Sequence, residues 1–104
     1  MKHYTNLENF NRQLQSHDLS VLYFTASWCG PCKSMSFVMD DVADTFSKKL
    51  QLIKVDVNTA SQLIEQYQIK SVPSLVFLKG GHELRRSVGA LPIEQVHSWV
   101  ESCL

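Results

Sequence analysis

The spacing of apolar positions changes several times along the chain, and each change marks an element. Leu7, Phe10 and Leu14 recur at i, i+3 and i+7, the stripe of a helix with one buried side. Thr5 with Glu8 has the S/T-x-x-E form of a capping box at its start. Leu19–Thr25 (Leu-Ser-Val-Leu-Tyr-Phe-Thr) is short, apolar and rich in β-formers, which predicts a strand covered on both faces. Helical spacing then returns with Met35, Met39, Val42 and Phe46. Pro31 falls in the first turn of that helix, where a missing N–H breaks no intrahelical bond. Residues 52–57 (Leu-Ile-Lys-Val-Asp-Val) predict a second buried strand, and Asn58 or Thr59 is placed to cap a shorter helix carrying Leu63, Ile64 and Tyr67.

Strand, helix, strand in that order implies neighbouring parallel strands joined by a right-handed crossover. After Pro73 the pattern changes. Residues 74–78 and 83–88 read as strands around Lys79-Gly80-Gly81-His82, a connection so short that the pair must be an antiparallel hairpin. From Pro92 onward Ile93, Val96, Val100 and Cys103 share one helical stripe, with Trp99 beside it. A βαβ half and a ββα half, preceded by a helix, close most simply as one mixed sheet with helices on both faces.

Composition narrows the function. Ten Lys plus Arg balance ten Asp plus Glu, so the chain lacks the clustered positive charge that nucleic acid or an anionic membrane would require. With 44% hydrophobic residues in 104, the chain is too apolar for disorder and long enough for a core of its own; a single domain over residues 1–104 is expected. The opening Met-Lys-His-Tyr-Thr-Asn leads into polar residues rather than a signal sequence, and no run is long enough for a membrane helix. A reducing, cytoplasmic setting is therefore expected.

Of three cysteines, Cys29 and Cys32 stand at the start of the long helix and Cys103 is penultimate, a pattern unlike the larger even sets of disulfide-stapled secreted domains. Free N–H groups of a first helical turn stabilise a thiolate, the species that attacks a disulfide. The i, i+3 spacing brings Cys32 near enough to resolve a mixed disulfide formed at Cys29. Gly30 is expected to let the backbone turn and Pro31 to stiffen it. Cys103, by contrast, reads as a packing thiol. The four histidines are scattered and make no zinc set with the single cysteine pair.

Trp28-Cys29-Gly30-Pro31-Cys32-Lys33 resembles the active-site motif of the thioredoxin family. Val72-Pro73-Ser74 resembles that family's cis-proline loop, Val88-Gly89-Ala90 its glycine loop, and Lys54-Val55-Asp56-Val57 its third strand. The resemblance implies an α/β thioredoxin fold: a central mixed five-stranded sheet, βαβαβ then ββα, flanked by four helices. It implies a protein-disulfide reductase with a redox disulfide Cys29–Cys32, in which Cys29 is the exposed nucleophile and Cys32 the buried resolving thiol. Trp28, Gly30, Pro31, Val72, Pro73, Gly89 and Ala90 would form the surface that receives a substrate segment, with Val72–Pro73 in the cis form. Implied partners are disulfide-containing proteins and an electron donor of the thioredoxin-reductase type. Neither cofactor nor metal is expected, and the chain would act as a monomer. The Gly-Pro pair between the cysteines resembles reducing members. The alternative is a binding subunit or scaffold of the same fold whose cysteines are dispensable.

Two positions depart from the family pattern. Tyr23 occupies the place of a buried aspartate that is taken to accept the proton of the resolving cysteine. A tyrosine ordinarily titrates at about 10 and is a poor base near neutrality. Proton transfer from Cys32 could then pass through Lys54, a water or the leaving thiolate, or Tyr23 could simply fill a core site with its hydroxyl bonded. Phe37 replaces the proline that usually bends the long helix, so a straighter helix is expected.

Overall fold

The computed structural model describes residues 10, 12, 14 and 18–104, and the backbone of residues 2–3. Its strands are β1 (Lys2–His3), β2 (Leu19–Thr25), β3 (Gln51–Asp56), β4 (Ser74–Lys79) and β5 (His82–Val88). Three helices have defined bounds among the described residues: α1 (Gly30–Thr45), α2 (Ser61–Tyr67) and α3 (Ile93–Cys103). The sheet order is β1-β3-β2-β4-β5. Four strands are of full length, and β1 is a two-residue edge segment with Lys2 opposite Ile53. The β2–β3 pair is parallel, as its helical crossover requires; β4 runs antiparallel to β2, and β5 antiparallel to β4.

Every residue of β2 is buried, because β2 lies between β3 and β4 and both sheet faces are covered. Alternate residues therefore serve two cores. On one side Leu19, Val21, Tyr23, Leu75 and Phe77 meet Met35, Met39 and Val42 of α1 and Val96 and Val100 of α3. On the other, Leu22, Phe24, Ile53, Val55 and Val76 meet Leu63 of α2 together with Phe10 and Leu14. Phe10, Arg12 and Leu14 are helical, in keeping with the predicted stripe; Leu7 and the Thr5/Glu8 capping box lie outside the described residues.

Two local expectations are corrected. The second long strand begins at Gln51 rather than Leu52 and ends at Asp56; buried Gln51 reaches Ser20, its Nε2 donating to the hydroxyl oxygen at 3.4 Å. Neither Asn58 nor Thr59 caps α2, whose N-cap is Ala60 without a side-chain bond. Both are bound to Asp56 instead: the Asn58 N–H donates to Oδ1 at 2.9 Å and the Thr59 hydroxyl to the carbonyl at 3.4 Å. That Asx turn closes the loop before α2 can begin. The two-residue β1 has no periodicity of its own and was invisible to the pattern.

The hairpin turn needs its glycines, since Gly80 and Gly81 have φ of 58° and 83°, where a Cβ is strained. β5 is the polar edge of the sheet. Arg85 lies 3.8 Å over the Trp99 ring, and Arg86 grips Glu83 through two 2.7 Å bonds while donating to the Tyr67 carbonyl at 2.8 Å. Such charges discourage edge-to-edge association of the strand.

Two outcomes follow from this packing. Phe77 is fully buried with its ring 5.8 Å from that of Trp99, so Phe77→Ala should lower stability by about 3–5 kcal/mol in urea titration. The Arg86 hydrogen bonds hold the Glu83 carboxyl below its ordinary value, with burial opposing and the charge of Arg86 assisting. Its stabilisation is therefore complete above the ordinary glutamate value and lost as pH falls through the lower folded value. Both side chains are 36% exposed, so solvent screens the pair. Glu83→Gln should cost less than about 0.5 kcal/mol at neutral pH, and denaturation across an acid series should show the two proteins converging.

Candidate active site

β2 delivers the chain to the sulfurs. After Thr25 a tight turn follows, in which the Cys29 N–H donates to the Ala26 carbonyl at 3.3 Å. Cys29 is thus the N-cap of α1, in extended conformation with φ −94° and ψ 116°. Pro31 occupies the first turn, and the next N–H, that of Cys32, donates to Cys29 Sγ at 3.2 Å. The sulfur takes the place a serine or aspartate oxygen takes in an ordinary N-cap. An N–H aimed at the sulfur and the positive end of a 16-residue helix both favour negative charge there. Cys29 and Cys32 are joined as a disulfide, with Cα atoms 5.3 Å apart.

Cys32 is buried as expected, at 1% exposure, but Cys29 is only 5% exposed and does not stand open. Ala26, Val57 and Val72 pack around the pair. Gly30 is a second correction. Its φ is not positive and its Cβ position meets nothing within 4 Å; glycine here leaves the helix surface bare rather than permitting a turn.

The predicted rim residues fall in one neighbourhood. The Val72–Pro73 bond is cis, Pro73 is buried, and the Val72 carbonyl oxygen lies 3.8 Å from Cys29 Sγ. The Gly89 N–H donates to the Pro73 carbonyl at 2.8 Å, tying the two loops together, and its φ of 94° with open space at Cβ demands a glycine. Trp28 is 70% exposed, Pro31 and Ala90 are exposed, and Val72 and Gly89 are half-buried. Beside Trp28 a hollow of about 180 Å³ is walled by Val57, Ile64, Ile69, Lys70, Ser71 and Val72. Val88, next to Gly89, is 67% exposed at the end of β5. Sequence reasoning missed the hollow, which has no sequence signal because it depends on how loops meet.

Tyr23 is fully buried. Its hydroxyl donates to the Cys32 carbonyl at 2.8 Å and lies 3.0 Å from Ser36 Oγ. A phenol has one proton, and the carbonyl can only accept, so Ser36 must donate to the Tyr23 oxygen. Tyr23 is thereby bound to the main chain of Cys32 rather than presented to its sulfur. Lys54, paired laterally with Tyr23 across β2 and β3, lines a hollow of about 330 Å³ together with Cys32, Ser36, Ser27 and Asp56. Lys54 and Cys32 therefore share a polar space from which Tyr23 is absent. Cys103 is buried in the core between α1 and α3, away from the sulfur pair.

A dithiol whose outer sulfur caps a helix and whose inner sulfur lies beneath it, on a mixed sheet, defines a thiol–disulfide oxidoreductase. The Thioredoxin family model matches residues 1–102, and the chain belongs to the thioredoxin family. It is 37% identical over 84 residues to thioredoxin 1 of Nostoc sp., covering 80% of this chain and 78% of that protein. It is 32% identical over 96 residues to the thioredoxin of Haemophilus influenzae, covering 91% and 90%. A solved thioredoxin of Plasmodium falciparum superposes with a TM-score of 0.89 at 28% identity, covering 98% of each chain. The protein is accordingly a thioredoxin-type protein-disulfide reductase with a CxxC redox disulfide. No helix among the described residues is long and apolar enough to cross a membrane.

The Tyr23 geometry yields a clear expectation. Tyr23→Phe keeps the ring but removes one bond to the Cys32 carbonyl and strands the Ser36 proton, so denaturant titration should show a loss of about 1 kcal/mol. The pH profile of mixed-disulfide resolution, followed by stopped flow, should stay unchanged. A displaced profile would make the hydroxyl part of the proton path.

Proposed function

We propose that Cys29 is the attacking sulfur and Cys32 the resolving one, within a single catalytic domain spanning residues 1–104. The observation that carries this assignment is the Cys32 N–H directed at Cys29 Sγ from the first turn of α1. It stabilises a thiolate at position 29, and among the described residues no N–H is directed at the sulfur of Cys32. The Cys29 thiolate attacks one sulfur of a substrate disulfide, forming a mixed disulfide and expelling the other sulfur as a thiolate that takes up a proton. Cys32 then loses its proton and attacks Cys29 Sγ, releasing the second substrate thiol. Two electrons pass to the substrate, and the chain is left in its Cys29–Cys32 disulfide form. An external dithiol donor of the thioredoxin-reductase type restores it.

The proton of Cys32 passes to water in the hollow it shares with Lys54, whose ammonium stabilises the negative charge left on the Cys32 sulfur; Tyr23 acts by positioning, through the Cys32 carbonyl. Trp28, Gly30, Pro31, Val72, Pro73, Gly89 and Ala90 receive the substrate segment, which pairs along the Val72 main chain as an added strand. The natural substrates are disulfide-containing proteins. The protein works as a monomer in the reducing cytoplasm, and the stripe of Phe10 and Leu14 belongs to a first helix that makes four around the sheet.

Insulin reduction driven by dithiothreitol tests the assignment. Cys29→Ser should abolish the catalysed precipitation, and Cys32→Ser should accumulate a covalent complex with insulin, seen on a non-reducing gel. Full activity in Cys29→Ser would leave the fold serving as a scaffold with dispensable cysteines.

A further inference from the structure

Phe37 is 77% exposed in the middle of α1, more so than any other large apolar side chain among the described residues. The helix buries Cys32, Met35, Met39 and Val42. At about 100° per residue, Phe37 is turned about 200° from Met35 and from Met39, so its ring points directly away from the core. Packing does not account for a ring in water, and neither does propensity, since phenylalanine is a middling helix former. Asp40, Asp44, Lys33 and Ser34 around it are exposed as well, so the ring has no apolar neighbour on its own face to stack against.

Its position relative to the sulfurs is more informative. Gly30 lies seven residues earlier, on the same outward face and about 10 Å along the axis. That glycine leaves the helix surface bare, with nothing within 4 Å of its Cβ position. Pro31 and Trp28, both exposed, continue the surface to Cys29. An uncovered track thus runs from the mouth of the redox site over Gly30, between Lys33 and Ser34, to the Phe37 ring. Most of its side chains are small or apolar, and Lys33 supplies one positive charge midway.

We infer that Phe37 is a second contact point for disulfide-bearing protein substrates, engaged while their reactive cysteine is held at Cys29. The inference rests on the reading of Cys29 as attacking sulfur and extends its contact surface along α1. Phe37 lies eight residues beyond Cys29, about 12 Å along the axis, which corresponds to about four residues of extended chain. The preferred substrate therefore presents an apolar side chain about four residues from its reactive cysteine, with an acidic group between them facing Lys33. A small disulfide cannot span the distance and gains nothing from the ring.

The test compares Phe37→Ala with the wild type on insulin, on oxidised ribonuclease A and on hydroxyethyl disulfide. Both protein substrates should show KM raised about fivefold, the effect of truncating one moderately important contact. Their kcat, and the rate with hydroxyethyl disulfide, should not change, and Phe37→Leu should recover most of the loss. Unchanged KM for both proteins overturns the inference. An equal loss with the small disulfide overturns it too, because the effect then lies at the sulfurs or in the fold. Sedimentation showing a wild-type dimer that Phe37→Ala dissociates would assign the ring to a second copy of the chain instead. Failure of the Cys29 assignment is read separately, as activity surviving in Cys29→Ser.

Discussion

The burial of β2 on both faces is the constraint on which the site depends. Each of its seven residues is covered, and hydrogen bonding to β3 and β4 fixes its position laterally. A strand so held has no freedom of register, because a slip of one residue would exchange the members of the two cores. Its end is therefore an accurate place from which to start a helix. The turn after Thr25 sets Cys29 at the N-cap of α1, and burial of Met35, Met39 and Val42 against the same sheet sets the rotation of that helix. The direction of the Cys32 N–H toward Cys29 Sγ follows from these two packings together, so thiolate stabilisation is a product of the core.

Tyr23 shows how a departure from the family pattern is absorbed by that arrangement. A phenol at a fully buried position needs a partner for its proton, since an unsatisfied hydroxyl there would cost about 1–3 kcal/mol. The nearest acceptor is the main chain of the active-site turn, and Ser36, one turn further along α1, supplies the second bond. The residue adds a tether from sheet to helix at the level of Cys32. Charge stays outside the core, with Lys54 and Asp56 in the adjacent hollow, where solvent can reach them.

The long elements were legible because each carries its own pattern: β2 as a short, mostly apolar run rich in β-formers, α1 through Met35, Met39 and Val42, α3 through Val96, Val100 and Cys103. The hairpin was legible from Gly80-Gly81, whose positive φ values few other residues tolerate. What escaped was relational. β1 is too short to show alternation, and α2 lacks the expected cap because Asp56 takes hold of Asn58 and Thr59 first. The covering of Cys29 depends on Val57 and Val72, residues far apart in the chain that meet only after folding. The partner of the Tyr23 hydroxyl was equally hidden, since it depends on the rotation of α1 against the sheet. The motif residues could be named from their order, but their exposure could not.

Net neutrality, finally, conceals a division of charge along the molecule. Lys33 and Lys54 border the hollow beside Cys32, and Lys70 borders the hollow beside Trp28. Between α1 and α3, Asp41, Glu94 and Glu101 line a separate groove, where Asp41 is bound to His97 at 2.7 Å. Asp56 lines the same hollow as Lys33 and Lys54 and offsets part of their charge beside Cys32, while the acids of the groove lie apart from it. With so few charges involved, apolar contact must supply most of the affinity. Beside the sulfurs the exposed Trp28 and the half-buried Val72 offer apolar surface rather than a strong field of one sign.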